Sequence, residues 1–403
     1  MRYLPLLLIA LGATPRAAGD VPKFKVQEIA TDLTVGYAVI TADINGDKKP
    51  DIVVVDSKRV VWYENPTWKV RTVIGGKTKP DNVCVAAHDI DGDGHLDLVL
   101  GADWKPFNTK AGGTLQWLQR GKTLDEEWTV HPIGEEPTVH RVRMADTDGD
   151  GKPEIVLAPL MGRESSAKGN WMDGRPVRIM AYPIPADPAR GPWKPVVVSD
   201  ELHVVHNFFP LPSMKRPQSI LAASYEGVTI IEPEGSGWKN TRIGAGNQDN
   251  PKGNRGSSEI KAGVLNGKRP YIATIEPWHG NQVVVYTLGP KEGALWERHM
   301  IDDHLRWGHG VWCADLDGDG DQELIIGVRD NPAKGDAFTE KCGVRIYKAT
   351  DGVGKAWSRT IVDDGGVAVE DLTAADLDGD GKVDIVAVGR GTKNARIYWN
   401  QGK

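Results

Sequence analysis

One phrase recurs along this chain: Asp-x-Asp/Asn-Gly-Asp-x-x-x-Asp/Glu, followed at once by an aliphatic run. It begins at Asp43, Asp89, Asp146, Asp315 and Asp376. Between the third and fourth copies, Ser219-Ile220-Leu221-Ala222-Ala223 and Pro270-Tyr271-Ile272-Ala273-Thr274 keep the aliphatic run although the acidic turn is lost, which makes seven units. A fixed repeat restricts the fold strongly, because each unit must bury its apolar face against its neighbours.

Two further signals run in step with the first. A β-branched and aromatic segment occurs seven times, from Val60-Val61-Trp62-Tyr63 to Ala395-Arg396-Ile397-Tyr398. A Trp-x-x-x-x-aliphatic segment follows six units, at Trp68, Trp128, Trp193, Trp238, Trp296 and Trp357, and Phe24-Lys25-Val26-Gln27-Glu28-Ile29 supplies the seventh. Four short strands per unit, seven times over, predict an all-β fold: a seven-bladed β-propeller of four-stranded blades, its last blade closed by the N-terminal strand. A parallel β-helix or an elongated array is the competitor, but a terminal strand that fits the opposite end argues for closure. No segment sustains helical periodicity. Met1-Arg2-Tyr3, a short apolar run and Ala17-Ala18-Gly19 read as a cleaved signal peptide over 1–19, which leaves 20–403 as one domain and implies a secreted or periplasmic protein.

On these repeats the chain resembles the FG-GAP/VCBS proteins, whose propellers carry a metal loop between the first and second strands of a blade. The segments His309-Gly310-Val311-Trp312-Cys313-Ala314-Asp315 and Glu370-Asp371-Leu372-Thr373-Ala374-Ala375-Asp376 are similar to the propeller domain of the aldos-2-ulose dehydratase family. That family joins its propeller to cupin domains and acts as a lyase on 1,5-anhydro-keto-sugars. This sequence leaves no residues for cupins, so an isomerase activity residing there is not implied.

Carboxylates at positions 1, 3, 5 and 9 of a Gly-containing turn offer a hard cation the oxygen cage it needs. The sets are Asp43/Asn45/Asp47/Asp51, Asp89/Asp91/Asp93/Asp97, Asp146/Asp148/Asp150/Glu154, Asp315/Asp317/Asp319/Glu323 and Asp376/Asp378/Asp380/Asp384. Structural Ca²⁺ in up to five loops is expected, since so many neighbouring carboxylates repel one another without a cation. Plain acidic turns are the alternative.

Function in propellers concentrates where the central channel opens. Counting back six residues from each metal loop finds the start of each innermost strand: Tyr37, Val83, His140, His309 and Glu370, with His206 and Glu259 at the same level when the two eroded units are aligned by their strands. His140, His206, His309, Glu259 and Glu370 therefore form a candidate catalytic ring, as metal ligand or base (His) and ligand or acid (Glu). Loops on the same face bring Arg329, Arg390, Trp278 and His279 forward as candidate substrate contacts, with the ring faces and polar groups a sugar requires.

No Ser nucleophile elbow, phosphate loop or His-Glu-x-x-His motif is present. The ring suits proton abstraction α to a carbonyl with loss of a β-substituent, assisted by Zn²⁺ or another transition metal at the top face. The expected function is a metal-assisted lyase or dehydratase that eliminates water or a glycosyl group from a keto- or anhydro-sugar. The alternative is a non-catalytic calcium-binding propeller that holds glycan or protein partners. A formal charge of −6 without a basic block argues against nucleic acid, and the apolar leader is too short to span a bilayer. Cys84, Cys313 and Cys342 are odd in number and widely spaced, and are expected to stay unpaired.

Overall fold

Each repeat unit forms one antiparallel four-stranded sheet, and seven such sheets hold the strands of the computed structural model, which describes residues 21–211, 217–330 and 340–403. The signal peptide expected over 1–19 lies outside the described residues. Blades 1 to 6 follow chain order over 36–75, 84–135, 139–202, 207–244, 260–302 and 308–361. Blade 7 takes 369–400 and adds Phe24–Ala30 as its outer strand, antiparallel to Ala395–Asn400 with Phe24 opposite Asn400. The ring is thus closed by the two ends of the sequence. Among the described residues there is no helix, and none is long and apolar enough to cross a membrane.

The first strand of each blade is innermost, since first strands of successive blades touch around the ring, Gly36–Ala42 meeting both Cys84–His88 and Val369–Ala375. Second strands such as Asp51–Asp56 and Asp97–Ala102 are buried along their whole length, which is why they read as unbroken aliphatic runs. Fourth strands such as Lys69–Gly75 lie outermost and stay largely exposed. Trp62, Trp117 and Trp128 pack in one cluster across the first three blades, while Val39, Val54, Val386 and Ile397 carry apolar packing across the closure. Cys84, Cys313 and Cys342 are free thiols.

Each acidic loop joins a first strand to a second, and its ninth residue fastens the loop to the sheet. Asp51 accepts from the backbone N–H of Ile44 at 2.9 Å and of Asn65 at 2.8 Å; Asp384 does the same for Leu377 at 3.1 Å and Asn400 at 2.8 Å. The side chains of Asn65 and Asn400 then reach the neighbouring blade, donating to the carbonyls of Leu377 and Leu316, each at 2.7 Å. These amides stitch loop to loop around the ring. Asn400→Ala is expected to cost about 1–3 kcal/mol, since it leaves buried carbonyls unpaired; denaturant titration of the variant reads this directly, and an unchanged midpoint would refute it.

Candidate functional site

The innermost strands begin with a shared irregularity. Strand register slips by one residue at Tyr37, His140, His309 and Glu370, so that each is the extra residue of a β-bulge. A bulge leaves one residue unpaired and re-aims its side chain. Here it turns equivalent residues of four blades toward one axis. His206 and Glu259 each directly precede the first strand of their blades, Asn207–Pro210 and Ile260–Leu265, and are buried at the same level.

Four imidazoles meet there. The ring of His206 lies 4.7 Å from that of His140, 4.5 Å from that of His279 and 5.1 Å from that of His309. His279 Nε2 is 2.9 Å from His206 Nε2, and one ligand nitrogen from each of His206, His279 and His309 falls within a 4.8 Å cluster. His206 turns Nδ1 to Glu259 at 2.8 Å, and His309 turns Nδ1 to the Glu370 carbonyl at 2.5 Å. An oxygen acceptor at Nδ1 fixes the proton there and leaves the Nε2 lone pair facing inward, the arrangement of a metal-ligating histidine. Burial holds His140, His279 and His309 well below the ordinary imidazole range, and His206 below it, so all four are neutral near pH 7. The donor set fits a transition metal held by three nitrogens.

The two carboxylates of the ring have different surroundings. Glu259 pairs with Arg141 at 3.2 Å and also takes the amide of Asn207. Although burial opposes its charge, Arg141 and His206 hold its carboxyl down to about 2. Glu259 is therefore committed to orienting His206. Glu370 is ion-paired at both oxygens, Oε2 with Arg329 at 3.0 Å and Oε1 with Arg390 at 2.9 Å. His140 places Nε2 3.2 Å from a guanidinium nitrogen of Arg141; because arginine only donates, the proton sits on Nδ1, which is buried without a partner.

The top-face loops wrap this cluster in rings. Trp104 stacks on His140 at 4.9 Å, Trp278 on His279 at 4.8 Å, and Trp307 meets His279 edge-on at 5.0 Å beneath the Arg329 guanidinium. Of the residues expected as substrate contacts, Arg329 and Arg390 bracket Glu370, Trp278 is buried behind His279, and His279 itself stands among the convergent histidines. His279 sits on the loop after Arg269–Glu276 with φ of 51°, a left-handed backbone that costs a non-glycine residue about 1–3 kcal/mol. Gly280 permits the loop: a Cβ there would lie 2.1 Å from the Glu276 carbonyl oxygen. Arg141, Asn207, Trp104 and Trp307 complete the site, and Arg141 and Asn207 carry no sequence signal of their own beyond adjacency to His140 and His206.

On the opposite face, oxygens of positions 1, 3 and 9 converge within 4.8 Å in the loops beginning at Asp89, Asp146 and Asp315. At the fifth position the acidic side chain takes part in the turn. Asp93 and Asp150 stand outside those sets, exposed, and each accepts from the backbone N–H two residues on, that of His95 at 2.8 Å and that of Lys152 at 2.7 Å. Exposed Asp47 does the same for Lys49 at 2.9 Å, and Asp380 is paired with Lys382. At third positions, Asn45 accepts from the N–H of Asp47 at 2.9 Å and Asp378 from that of Asp380 at 3.1 Å. Turn chemistry is the physical reason, because a short side chain ending in oxygen reaches its own backbone two residues on without any cation. Asn45, Asp47, Asp93, Asp150 and Asp378, expected as ligands, thus also form the turn, as do Asp91 and Asp148, which accept from the N–H of Asp93 at 3.2 Å and of Asp150 at 3.0 Å. In the Asp315 loop the Lys348 ammonium reaches into the carboxylates, contacting Asp317 and lying 3.0 Å from Asp319. That loop carries a cation of its own.

The repeats and the ring define the class: the chain is a β-propeller with FG-GAP-like repeats, matched at 43–100 and 315–387. More particularly, the β-propeller domain of aldos-2-ulose dehydratase matches residues 112–289, so this propeller is related to that of a carbohydrate dehydratase. Aldos-2-ulose dehydratase of Phanerodontia chrysosporium is 28% identical over 274 residues, covering 62% of this chain and 29% of its own length. Integrin alpha-PS2 of Drosophila melanogaster is 26% identical over 175 residues, covering 38% of this chain and 12% of its own. The chain spans less than a third of the length of these curated relatives. Among solved structures, BBS1N in complex with ARL6DN shares the fold at a TM-score of 0.51 with 11% identity, covering 94% of this chain and 96% of that one.

Proposed function

We propose that this propeller is a metal-assisted carbohydrate lyase that eliminates water, or a glycosyl group, from a keto- or anhydro-sugar at the mouth of the central channel. The observation that carries the reading is the convergence of His206, His279 and His309, two of them with Nδ1 tied to an oxygen and Nε2 facing inward. A transition metal bound there would polarise the carbonyl of the sugar. The protein's own groups supply the rest. The Nδ1–H of His140 is an unused donor for oxygen that gains charge as the α-proton leaves. The Glu370 carboxylate, charged beside Arg329 and Arg390, is the acceptor for that proton, and its return to the departing β-hydroxyl releases water and resets the carboxylate. Arg329 and Arg390 keep Glu370 in place, and Glu259 orients His206. Trp104 and Trp307 offer ring faces to the sugar. Structural Ca²⁺ in the acidic loops belongs to the same reading.

The relationship to aldos-2-ulose dehydratase supports the substrate class. The alternative, a non-catalytic propeller that binds glycan or protein partners, draws on the similarity to integrin alpha-PS2. Incubating the metal-replete protein with 1,5-anhydro-keto-sugars and keto-glycosides separates the two: the lyase produces a conjugated enone seen by ultraviolet absorbance and, with hydroxyl loss, a mass decrease of one water. Binding without enone formation across the panel would favour the alternative.

A further inference from the structure

Below the histidines, the central channel encloses a cavity of about 330 Å³. It runs from Arg141, Asn207 and Glu259 down to Thr41, Ala87 and Met144, two residues short of the acidic loops at Asp43, Asp89 and Asp146. Its charged lining consists of Arg141, Arg143, Lys261, Glu259 and Asp371. Three cations thus face two carboxylates.

Both carboxylates have partners. Glu259 is taken by Arg141 and His206, and Asp371 accepts from the backbone N–H groups of Val39 and Leu372, each at 3.0 Å. Arg143 donates one guanidinium N–H to the Val142 carbonyl at 2.8 Å. Lys261 has no hydrogen bond or ion pair among the described residues. Its buried side chain holds Nζ 3.9 Å from the ring centres of both Phe209 and Trp312. Two π-faces attract a cation but give its N–H groups no oxygen acceptor, so the desolvation of a buried ammonium is offset only in part. The proposed elimination makes no use of Lys261 or Arg143.

We propose that this channel is a second binding site, for a small organic monocarboxylate of sugar-acid size, whose oxygens accept from Lys261 and Arg143 while its carbon skeleton lies against Phe209 and Trp312. The single excess positive charge matches one carboxylate. The volume exceeds that of a simple inorganic ion several-fold, and Thr41 and Thr373 provide hydroxyl partners along the wall. The occupant and His206 would lie on opposite sides of Glu259.

Gluconate is the probe, with sorbitol as its uncharged counterpart and chloride as the inorganic one. Calorimetric titration of the whole protein, with Trp312 fluorescence as a second readout, is expected to give one saturable gluconate site, no sorbitol site and no equal response to chloride. Lys261→Met should weaken gluconate binding by at least about tenfold, and His309→Ala should retain it, which separates the channel from the histidine site. Arg143→Gln serves as the second variant should Lys261→Met fail to fold. Binding of sorbitol or chloride equal to gluconate, no saturation, or gluconate binding indifferent to Lys261 and Arg143 would overturn the proposal.

Discussion

His309→Ala should reduce turnover by at least about 10³-fold, in the range expected when a group that binds the metal or moves the proton is removed, while leaving the fold intact. The imidazole is buried and its Nδ1 is tied to the Glu370 carbonyl, so its inward Nε2 is the group that the variant loses. The fold does not depend on it, because the neighbouring strand Glu323–Val328 and the cluster around Val311 and Leu324 keep their pairing and packing. A β-bulge residue has no cross-strand partner to disturb. The circular dichroism and thermal midpoint of the variant should therefore stay near those of the parent. Retained turnover would remove His309 from the mechanism, and collapse of the fold would make its role structural.

Removal of calcium should lower the unfolding midpoint and reverse the pH dependence of stability. Without a cation, burial pushes Asp51, Asp97 and Asp384 up to about 6 and Glu323 up to about 7. A carboxyl that holds its proton more tightly when folded favours the native state at low pH, and that contribution is lost as pH climbs from the ordinary carboxylate range through these values. Chelated protein should thus be more stable near pH 5 than near pH 7.5, as far as these groups decide it. Calcium inverts the slope, since it binds the deprotonated cage and only in the folded state. Each loop occupied at 100 times its dissociation constant adds about 2.7 kcal/mol. The Asp315 loop should contribute least, because Lys348 already neutralises it. Calorimetry with and without chelator at both pH values gives the answer; identical curves at neutral pH would return these loops to plain acidic turns.

The fold was legible because three independent strand signals keep the same period, and because the count of one of them fell short by a unit that Phe24–Ile29 could supply. The structure pairs that segment with Ala395–Asn400, as the missing outer strand requires. The level of the ring was legible for the same reason: a fixed offset from the acidic loop finds Tyr37, His140, His309 and Glu370, all of them bulge residues. What the offset does not convey is how loops fold over the ring. His279 comes from the connection between second and third strands, whose length varies widely between blades, and its left-handed backbone returns it to His206. Arg141 was hidden for a different reason. A bulge lets two successive residues, His140 and Arg141, both turn inward, whereas strict alternation assigns them to opposite faces. In the acidic loops, spacing locates Asp93 and Asp150 but does not tell a ligand from a turn-former, since both uses ask for a short carboxylate at the same place. Lys261 reads as an ordinary strand lysine until Phe209 and Trp312 are seen on either side of it.

The central claim is a three-histidine metal centre, and metal analysis of the calcium-saturated protein tests it most directly, comparing the parent with His206→Ala and His279→Ala. The proposal predicts one tightly held transition metal per chain in addition to calcium, lost in both variants while the calcium content is unchanged. A parent that binds calcium alone, or a transition metal that survives both substitutions, would contradict the account.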